Sequence, residues 1–175
     1  PEMHFVPLQK FEMVRAAEFD PVAKTRLFAT LARINTLSMI AFAGSGHIGS
    51  SFSSMEIFSW LYLNVLRRPN ARGEGARDVF FSSQGHDAPG MYSVMIGCGL
   101  LPYDNVCKLR RLGGLPGHPD VSTELVATNT GSLGMGISKA RGMAIADRLR
   151  GREGHFYVMT GDGELQEGQI WESLS

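Results

Sequence analysis

Residues 161–163 combine the residue types that bind a cation paired with phosphate. Asp162 stands between two glycines, directly after the apolar run 156–160, which is typical of a buried strand. Ligands of open parallel sheets bind beyond the carboxyl ends of the strands, and Mg²⁺ takes one or two carboxylates together with substrate phosphates. The pattern therefore predicts a cation site at Asp162, although an ordinary Asp-Gly turn has the same composition.

Three of the five histidines occupy short loops bounded by glycine or proline, namely His47, His86 and His118. A side chain on a loop is freer to meet a ligand than one that faces a core. Neutral imidazole both donates and accepts hydrogen bonds, which suits the binding of sugar hydroxyls and proton transfer near neutral pH. A single loop histidine is more often simply solvated, as we interpret His4, and His155 opens a strand and is interpreted as structural.

A third candidate segment is residues 130–136, TGSLGMG, which lies just before a predicted helix. Its glycines predict a tight turn that leaves bare backbone at the start of that helix. Exposed N–H groups at a helix start favour an anion. A plain helix N-terminus with close packing fits the same residues, so both interpretations stay open.

The elements that would position these residues begin with helices. Apolar residues recur every three or four positions from Val22 onward, which predicts a helix that ends near residues 44–46. Ser53 and Glu56 match a capping box and predict the start of a second helix. Residues 1–21 are interpreted as an extended lead-in. The recurring apolar residues of the first helix are Leu27, Leu31, Ile34 and Leu37.

The rest of the chain alternates between strands and helices, which predicts an α/β fold with a parallel sheet and helices on both faces. No linker or shift in composition divides it, so residues 22–175 are interpreted as one domain. The further elements predicted are strands at 78–82 and 156–160, helices at 88–98, 103–112 and 133–150, a loop at 115–130, and the first turns of a helix after 163.

Composition bounds the classes of partner. Lys and Arg number 17, as do Asp and Glu, so the zero net charge gives no reason to expect nucleic acid or an anionic membrane as partner. No apolar run approaches the ~18 residues that span a bilayer. The N-terminus is unlike a secretory signal, and a cytoplasmic enzyme is predicted. Cys98 and Cys107 are each interpreted as a buried, reduced thiol.

The segment 161–172, GDGELQEGQIWE, closely resembles the thiamine diphosphate motif of the transketolase family, in the form found in the N-terminal chain of two-subunit transketolases. The resemblance implies that Asp162 binds Mg²⁺ (or Ca²⁺) and that Gly163 contacts the diphosphate. It also implies that Glu167 and Glu172 lie in a carboxylate network that links paired cofactor sites across a dimer. Glu167 is therefore expected to serve both catalysis and cofactor binding, and Glu172 is expected to serve cofactor binding.

Residues 130–136 match the family segment that lies along the cofactor. The resemblance implies that Gly131, Ser132 and Leu133 bind the cofactor, with Gly131 and Leu133 against its aminopyrimidine ring. The similarity as a whole extends from about residue 22 to residue 175.

The three loop histidines also lie in segments that are similar to transketolase motifs. The resemblance implies that His47, His86 and His118 are catalytic and converge on one cleft that lines the cofactor and the sugar channel. Two departures from the family pattern stand beside the second histidine. Gln84 replaces a lysine or asparagine common in the family, and Asp87 replaces a small residue, which implies an altered substrate preference.

The function that the resemblance implies is transfer of a two-carbon ketol unit between sugars or sugar phosphates. The chain would be an N-terminal subunit or fragment that carries a truncated diphosphate-binding domain of the thiamine diphosphate-binding fold. A pyrimidine-binding domain or C-terminal subunit would complete it in a homo- or hetero-oligomer, and the isolated chain is expected to be inactive. A non-catalytic subunit that binds the cofactor or a partner is the alternative. A nucleotide-binding enzyme is disfavoured because the chain has neither a G-x-G-x-x-G after a strand nor a P-loop lysine.

Overall fold

The computed structural model describes residues 4–67, 69 and 77–175. The chain divides into two compact units. The helical unit comprises Pro1–Val65 and His86–Gly117, and the sheet unit comprises Leu66–Gly85 and His118–Ser175. The predicted boundary between residues 21 and 22 does not coincide with this division.

The longest element of the helical unit is α2 (Pro21–Ala43), and local interactions set both of its ends. The Asp20 carboxylate accepts hydrogen bonds from the N–H groups of Val22 at 3.0 Å and Ala23 at 3.1 Å, and Gly44 closes the helix with a φ of 73°. The predicted helix is thereby confirmed. The elements of this unit are α1 (Leu8–Ala16), α2 (Pro21–Ala43), α3 (Ile48–Ser53), α4 (Met55–Trp60), a π-helical turn (Leu61–Val65), α5 (Ala88–Gly97) and a 3₁₀-helix (Tyr103–Cys107).

The apolar stripe that predicted α2 lies mostly on its exposed side. Leu27, Ile34 and Leu37 retain 40%, 45% and 47% of their accessible surface. The buried side instead carries Phe28, whose ring meets that of Phe11 edge-on with centroids 5.1 Å apart. Small and polar residues share that buried side because α1 and α5 pack closely there, as shown by Ala29, Ala32, Asn35 and Thr36.

The predicted extended lead-in is wrong for Leu8–Ala16, which form α1. Phe11 and Val14 are its buried residues, and Phe11 also occupies the space left by Gly97, where a Cβ would lie 2.5 Å from the Phe11 ring. Tertiary packing therefore stabilises a helix that has no side-chain cap at its start. Residues 1–3 of the predicted lead-in lie outside the described residues.

The predicted capping box is also wrong. Ser53 is the last residue of α3, and its hydroxyl donates to the Ser50 carbonyl at 3.1 Å instead of capping a new helix. Glu56 forms an ion pair with Arg33 across the unit, which holds the pKa of Glu56 below its usual value. The second helix nevertheless exists, as α4 from Met55.

The predicted helix over residues 103–112 ends early, as a 3₁₀-helix at Cys107. Arg110 adopts a φ of 54°, which a helix cannot accommodate, and Leu109 instead bridges to Leu115. The chain turns between these two residues through Gly113, whose φ is 71°.

In the sheet unit, β1 (Val79–Ser82) and β2 (Phe156–Met159) pair in parallel, with Val79 opposite Phe156 and Ser82 opposite Met159. All four residues of β1 are buried, whereas those of β2 are half-buried, and Phe156 and Val158 pack against α6 (Gly136–Leu149). The chain is thus a mixed α/β protein with a small parallel sheet, as predicted. The other elements here are α6 (Gly136–Leu149), a 3₁₀-helix (Glu164–Gln166) and α7 (Gly168–Ser173).

A buried carboxylate aligns the starts of the two strands. Asp78 accepts hydrogen bonds from Arg67 Nε at 3.1 Å, Arg67 Nη2 at 3.0 Å and the Arg67 backbone N–H at 2.8 Å. It also accepts from the backbone N–H of His155 at 2.9 Å, immediately before β2. The Arg67 guanidinium holds the pKa of Asp78 well below its usual range. His155 thus has the structural position that the sequence predicted.

Both cysteines are free thiols, as predicted, and Cys98 is half-buried whereas Cys107 is exposed. Burial raises the pKa of Cys98 to about 12. Cys107 is exposed at the end of the 3₁₀-helix, so its predicted burial is wrong. Among the described helices, none is both long and apolar enough to cross a membrane. The predicted cytoplasmic location stays a prediction.

Candidate functional site

The segments that follow β1 and β2 leave the sheet side by side. The Ser83 N–H donates to the Met159 carbonyl at 2.8 Å, which extends the pairing one residue beyond β1. The chain after β2 then enters residues 160–163, which hold the predicted cation site. This is the carboxyl edge of the parallel pair, where ligands of such sheets bind.

Glu164 joins this edge to the glycine-rich turn at residues 130–136. Its side chain is buried, and its Oε1 accepts from the Gly134 N–H at 2.9 Å while its Oε2 accepts from the Gly161 N–H at 3.0 Å. Ser83 Oγ also donates to Oε1, and it accepts in turn from the Gly136 N–H at 3.0 Å. One carboxylate therefore holds together three segments that are distant in the sequence.

The glycine-rich turn also packs against the start of α7. Gly134 is buried with a φ of 81°, and a Cβ built on it would lie 2.9 Å from Glu167 Cβ and 3.4 Å from Gln169 Cβ. Only glycine leaves room for this approach while adopting that φ. The two segments that the sequence singled out, 130–136 and 161–172, are thus neighbours within the sheet unit.

The predicted ligand-binding residues are exposed to solvent around the junction of residues 130–136 with residues 161–168. Asp162, Gly163, Glu167 and Glu172 are exposed, as are the cofactor-binding candidates of the turn. The Asp162 carboxylate makes no hydrogen bond or ion pair with any residue that the structure describes. The Gly163 N–H likewise donates to no described residue. The exposed candidates of the turn are Gly131, Ser132 and Leu133.

These free groups fit a diphosphate and its cation, because an unengaged carboxylate oxygen and an unengaged backbone N–H are what the pair requires. Asp162 could supply one ligand to a cation, and the Gly163 N–H could donate to a phosphate oxygen. Across residues 4–67, 69 and 77–175, no group of three or more His, Cys, Asp or Glu side chains is placed to hold a metal ion.

His118 lies beside the glycine-rich turn in the sheet unit. A Cβ on Gly131 would be 2.9 Å from His118 Cδ2, and one on Gly85 would be 3.1 Å from the same atom. Gly85 also approaches Thr130, since its Cβ would be 2.7 Å from Thr130 Oγ1. The His118 side chain is exposed, so a ligand at this surface could reach it.

His47 and His86 are neighbours within the helical unit. Their ring centroids are 5.1 Å apart, with an angle of 57° between the ring planes. His47 stands at the N-cap position of α3, where its side chain makes no capping hydrogen bond. The structure thus brings two of the three predicted histidines together, and the convergence of all three stays a prediction.

The two departures from the family pattern have different surroundings. Asp87 is buried in the helical unit, and its Oδ2 accepts from Ser54 Oγ at 3.3 Å. It links α5 to the junction of α3 and α4, and its predicted influence on substrate preference stays a prediction. Gln84 is buried at the strand edge, where its Oε1 would lie 2.8 Å from a Cβ on Gly161.

Glu164 is the residue of this assembly that the sequence reasoning missed. Its position three residues after Gly161 is a usable signal, because a carboxylate there reaches back to a backbone N–H in the same turn. The bond to Gly134, 30 residues away, requires the tertiary structure.

Comparison with known proteins gives matches over most of the chain. A family model described as "Transketolase, thiamine diphosphate binding domain" matches residues 24–175. An apulose-4-phosphate transketolase subunit from Actinobacillus succinogenes is 40% identical over 131 residues, which is 73% of this chain and 48% of that protein. The 6-deoxy-6-sulfo-D-fructose transketolase subunit SqwG from Clostridium sp. is 37% identical over 148 residues, 83% of this chain and 54% of that protein.

Longer relatives match as well. A transketolase from Pongo abelii is 35% identical over 150 residues, which is 84% of this chain and 24% of that protein. The chain therefore spans about half the length of these two transketolase subunits and about a quarter of the longer transketolase.

Proposed function

The chain belongs to the transketolase family as a thiamine diphosphate-binding domain, and from this we propose that it is the N-terminal subunit or part of a ketol-transferring enzyme. In this proposal it binds the diphosphate of the cofactor together with Mg²⁺ or Ca²⁺. The observation that carries the proposal is the junction of residues 130–136 with residues 161–168, which leaves Asp162 and Gly163 open beside it.

Asp162 would provide a carboxylate ligand to the cation, and the Gly163 N–H would donate to the diphosphate. Gly131, Ser132 and Leu133 would lie along the cofactor, because their turn is exposed and packs beside the start of α7. Glu167 and Glu172 are exposed around α7, which supports their proposed place in a carboxylate network with a second site. When bound, thiamine diphosphate supplies the nucleophile for breaking and forming carbon–carbon bonds.

The histidines would act on the sugar. An exposed imidazole can donate one hydrogen bond and accept another, so His118 would orient sugar hydroxyls beside the turn. His47 and His86 would work as a pair, since rings at this separation can share contacts with one polyhydroxylated substrate. Each could hold a proton at a ring nitrogen or pass it on near neutral pH.

We propose that the complete enzyme contains a pyrimidine-binding part, contributed by a C-terminal subunit or by further sequence. Two relatives are named as transketolase subunits, which favours an assembly of chains. Their named sugars differ, one an apulose phosphate and the other a sulfo-sugar. The substrate proposed here is accordingly the class of ketoses and aldoses, phosphorylated or otherwise substituted.

The test compares two carboxylate-to-amide variants of the complete enzyme, Asp162→Asn and Asp104→Asn. Asp104 is an exposed residue of the helical unit that pairs with Lys108, so its variant is a matched control for loss of one surface charge. Calorimetric titration with thiamine diphosphate at saturating Mg²⁺ should show affinity reduced by about tenfold or more in Asp162→Asn, as when a metal site loses part of its support.

The control should bind like the wild-type enzyme. Equal affinities in the two variants would refute the assignment of Asp162. Ketol transfer is measured in the same preparations with ketose and aldose pairs. Tight cofactor binding by the wild-type enzyme without turnover would favour the alternative, a non-catalytic cofactor-binding subunit.

A further inference from the structure

The buried carboxylate of Glu164 accepts hydrogen bonds from three donors of the sheet unit. Both of its oxygens are engaged, Oε1 by Gly134 and Ser83 and Oε2 by Gly161, and the side chain is 3% exposed. Its backbone partners are the N–H groups of the two glycines that flank the proposed ligand-binding loops. The carboxylate is therefore directed at the backbone of the site and away from solvent.

The bonds determine which backbone N–H groups remain available to a ligand. Gly134 and Gly161 are used by Glu164, and Gly136 is used by Ser83, whereas the Gly163 N–H has no acceptor within the described residues. The N–H groups of Gly134, Gly136 and Gly161 are therefore bonded within the protein, and the Gly163 N–H stays available to a ligand. It also fixes the backbone on both sides of Asp162 and its neighbouring turn.

We infer that Glu164 is a positioning residue that preforms the diphosphate and cation site. It acts by clamping residues 134 and 161 together before any ligand arrives, so that Asp162 and Gly163 are presented in a fixed arrangement. This inference rests on the proposed function, because it concerns the same site. Preorganisation of this kind lowers the cost of ordering the loops on binding and so raises affinity.

An amide cannot replace the carboxylate in this role. Glutamine has one acceptor oxygen and an NH₂ group, and that group would face the N–H of either Gly161 or Gly134. Glu164→Gln therefore removes the hydrogen bond to either Gly134 or Gly161 with almost no change in side-chain volume. Ser83→Ala is the comparison, since it removes the serine hydroxyl but leaves both backbone N–H groups bonded to Glu164.

The experiment measures thiamine diphosphate affinity by calorimetry in the complete enzyme at saturating Mg²⁺. Glu164→Gln is expected to weaken binding by about tenfold, the scale of an outer-shell loss. Ser83→Ala should weaken it less, and the exposed Glu12→Gln should not change it. Activity titrated with cofactor separates positioning from simple misfolding. A positioning role raises the half-saturating cofactor concentration while kcat at saturation is retained, whereas a smaller folded fraction lowers kcat alone.

A measurement on the unmodified enzyme tests the inference even if Glu164→Gln does not fold. Hydrogen exchange followed by mass spectrometry should show the Gly134 and Gly161 amides protected without cofactor, and the Gly163 amide protected only after cofactor and Mg²⁺ are added. Protection of Gly134 and Gly161 that appears only with cofactor would overturn the inference.

The two proposals fail in different ways. Cofactor binding by the wild-type enzyme with equal affinity in Glu164→Gln would overturn the role of Glu164 alone. Absence of cofactor binding in the wild-type complete enzyme would overturn the proposed function, and the role of Glu164 with it.

Discussion

Replacing Asp78 by asparagine should release the alignment of β1 and β2 on which the site depends. The carboxylate accepts from Arg67 at two side-chain nitrogens and one backbone nitrogen, and from the His155 backbone. Asparagine keeps one acceptor oxygen and directs an NH₂ group at other donors. Loss of a charge-assisted hydrogen bond, together with one buried donor left without an acceptor, should lower the free energy of unfolding by about 2 kcal/mol.

For a folding unit of 150–250 residues, this cost corresponds to a fall in the unfolding midpoint of about 4–8 °C. The stabilising contribution of the Asp78 carboxylate depends on pH. Because Arg67 lowers the pKa of Asp78 in the folded state, the carboxylate stabilises the fold fully above the unfolded pKa of about 3.9. That contribution is lost as the pH falls from there toward the lower folded pKa.

The assay is thermal unfolding of the complete enzyme, followed by far-UV circular dichroism at pH 7, 5, 4 and 3. The difference in unfolding midpoint between wild type and Asp78→Asn should be constant from pH 7 to 5 and should become smaller below pH 4. Asp104→Asn is the control, because an exposed pair with Lys108 contributes little. A difference that is independent of pH, or no larger than that of the control, would refute the reasoning.

Two further predictions concern glycines and thiols. Gly142→Ala in α6 should raise the unfolding midpoint by about 2–4 °C, because the new methyl group has no atom within 4 Å and alanine favours a helix. Gly131→Ala should lower both the unfolding midpoint and the affinity for the cofactor, because Gly131 has a φ of 110° and its new methyl group would lie 2.9 Å from His118 Cδ2. Thermal unfolding measures the two midpoints and calorimetry measures the affinity. A higher midpoint for Gly131→Ala than for Gly142→Ala would contradict the prediction. A maleimide followed by mass spectrometry should label Cys107 promptly and Cys98 slowly, since burial raises the Cys98 pKa to about 12. Equal labelling rates would show that Cys98 is no less accessible than Cys107.

Features that depend on neighbouring residues could be predicted from the sequence. The Asp20 cap and Gly44 end α2 through bonds within a few residues, and their residue types alone indicate those ends. Both strands were predictable because short apolar runs with polar borders are local patterns. The candidate segments 130–136 and 161–172 were recognisable for the same reason, since each is a contiguous stretch whose composition carries its chemistry.

Features that depend on a partner far along the chain required the tertiary structure. Periodicity cannot say which side of α2 is covered, because Phe11 and α5 select the side with small residues. The helix α1 exists through packing of Phe11 against Phe28 of α2 and beside Gly97 of α5. In each case a contact between distant residues outweighed a local preference of about 1 kcal/mol or less per residue.

The candidate site shows the same division. The residue types at Asp162 and Gly163 are explicit in the sequence, and so is the family motif that contains them. The role of Glu164 was not, since it follows from bonds to Gly134 and Ser83 that only the folded chain brings within reach. The sequence determined which polar groups are available for the chemistry. The tertiary structure decided which of them form the hydrogen bonds that hold the site together, because a buried carboxylate must accept from the donors that the fold places beside it.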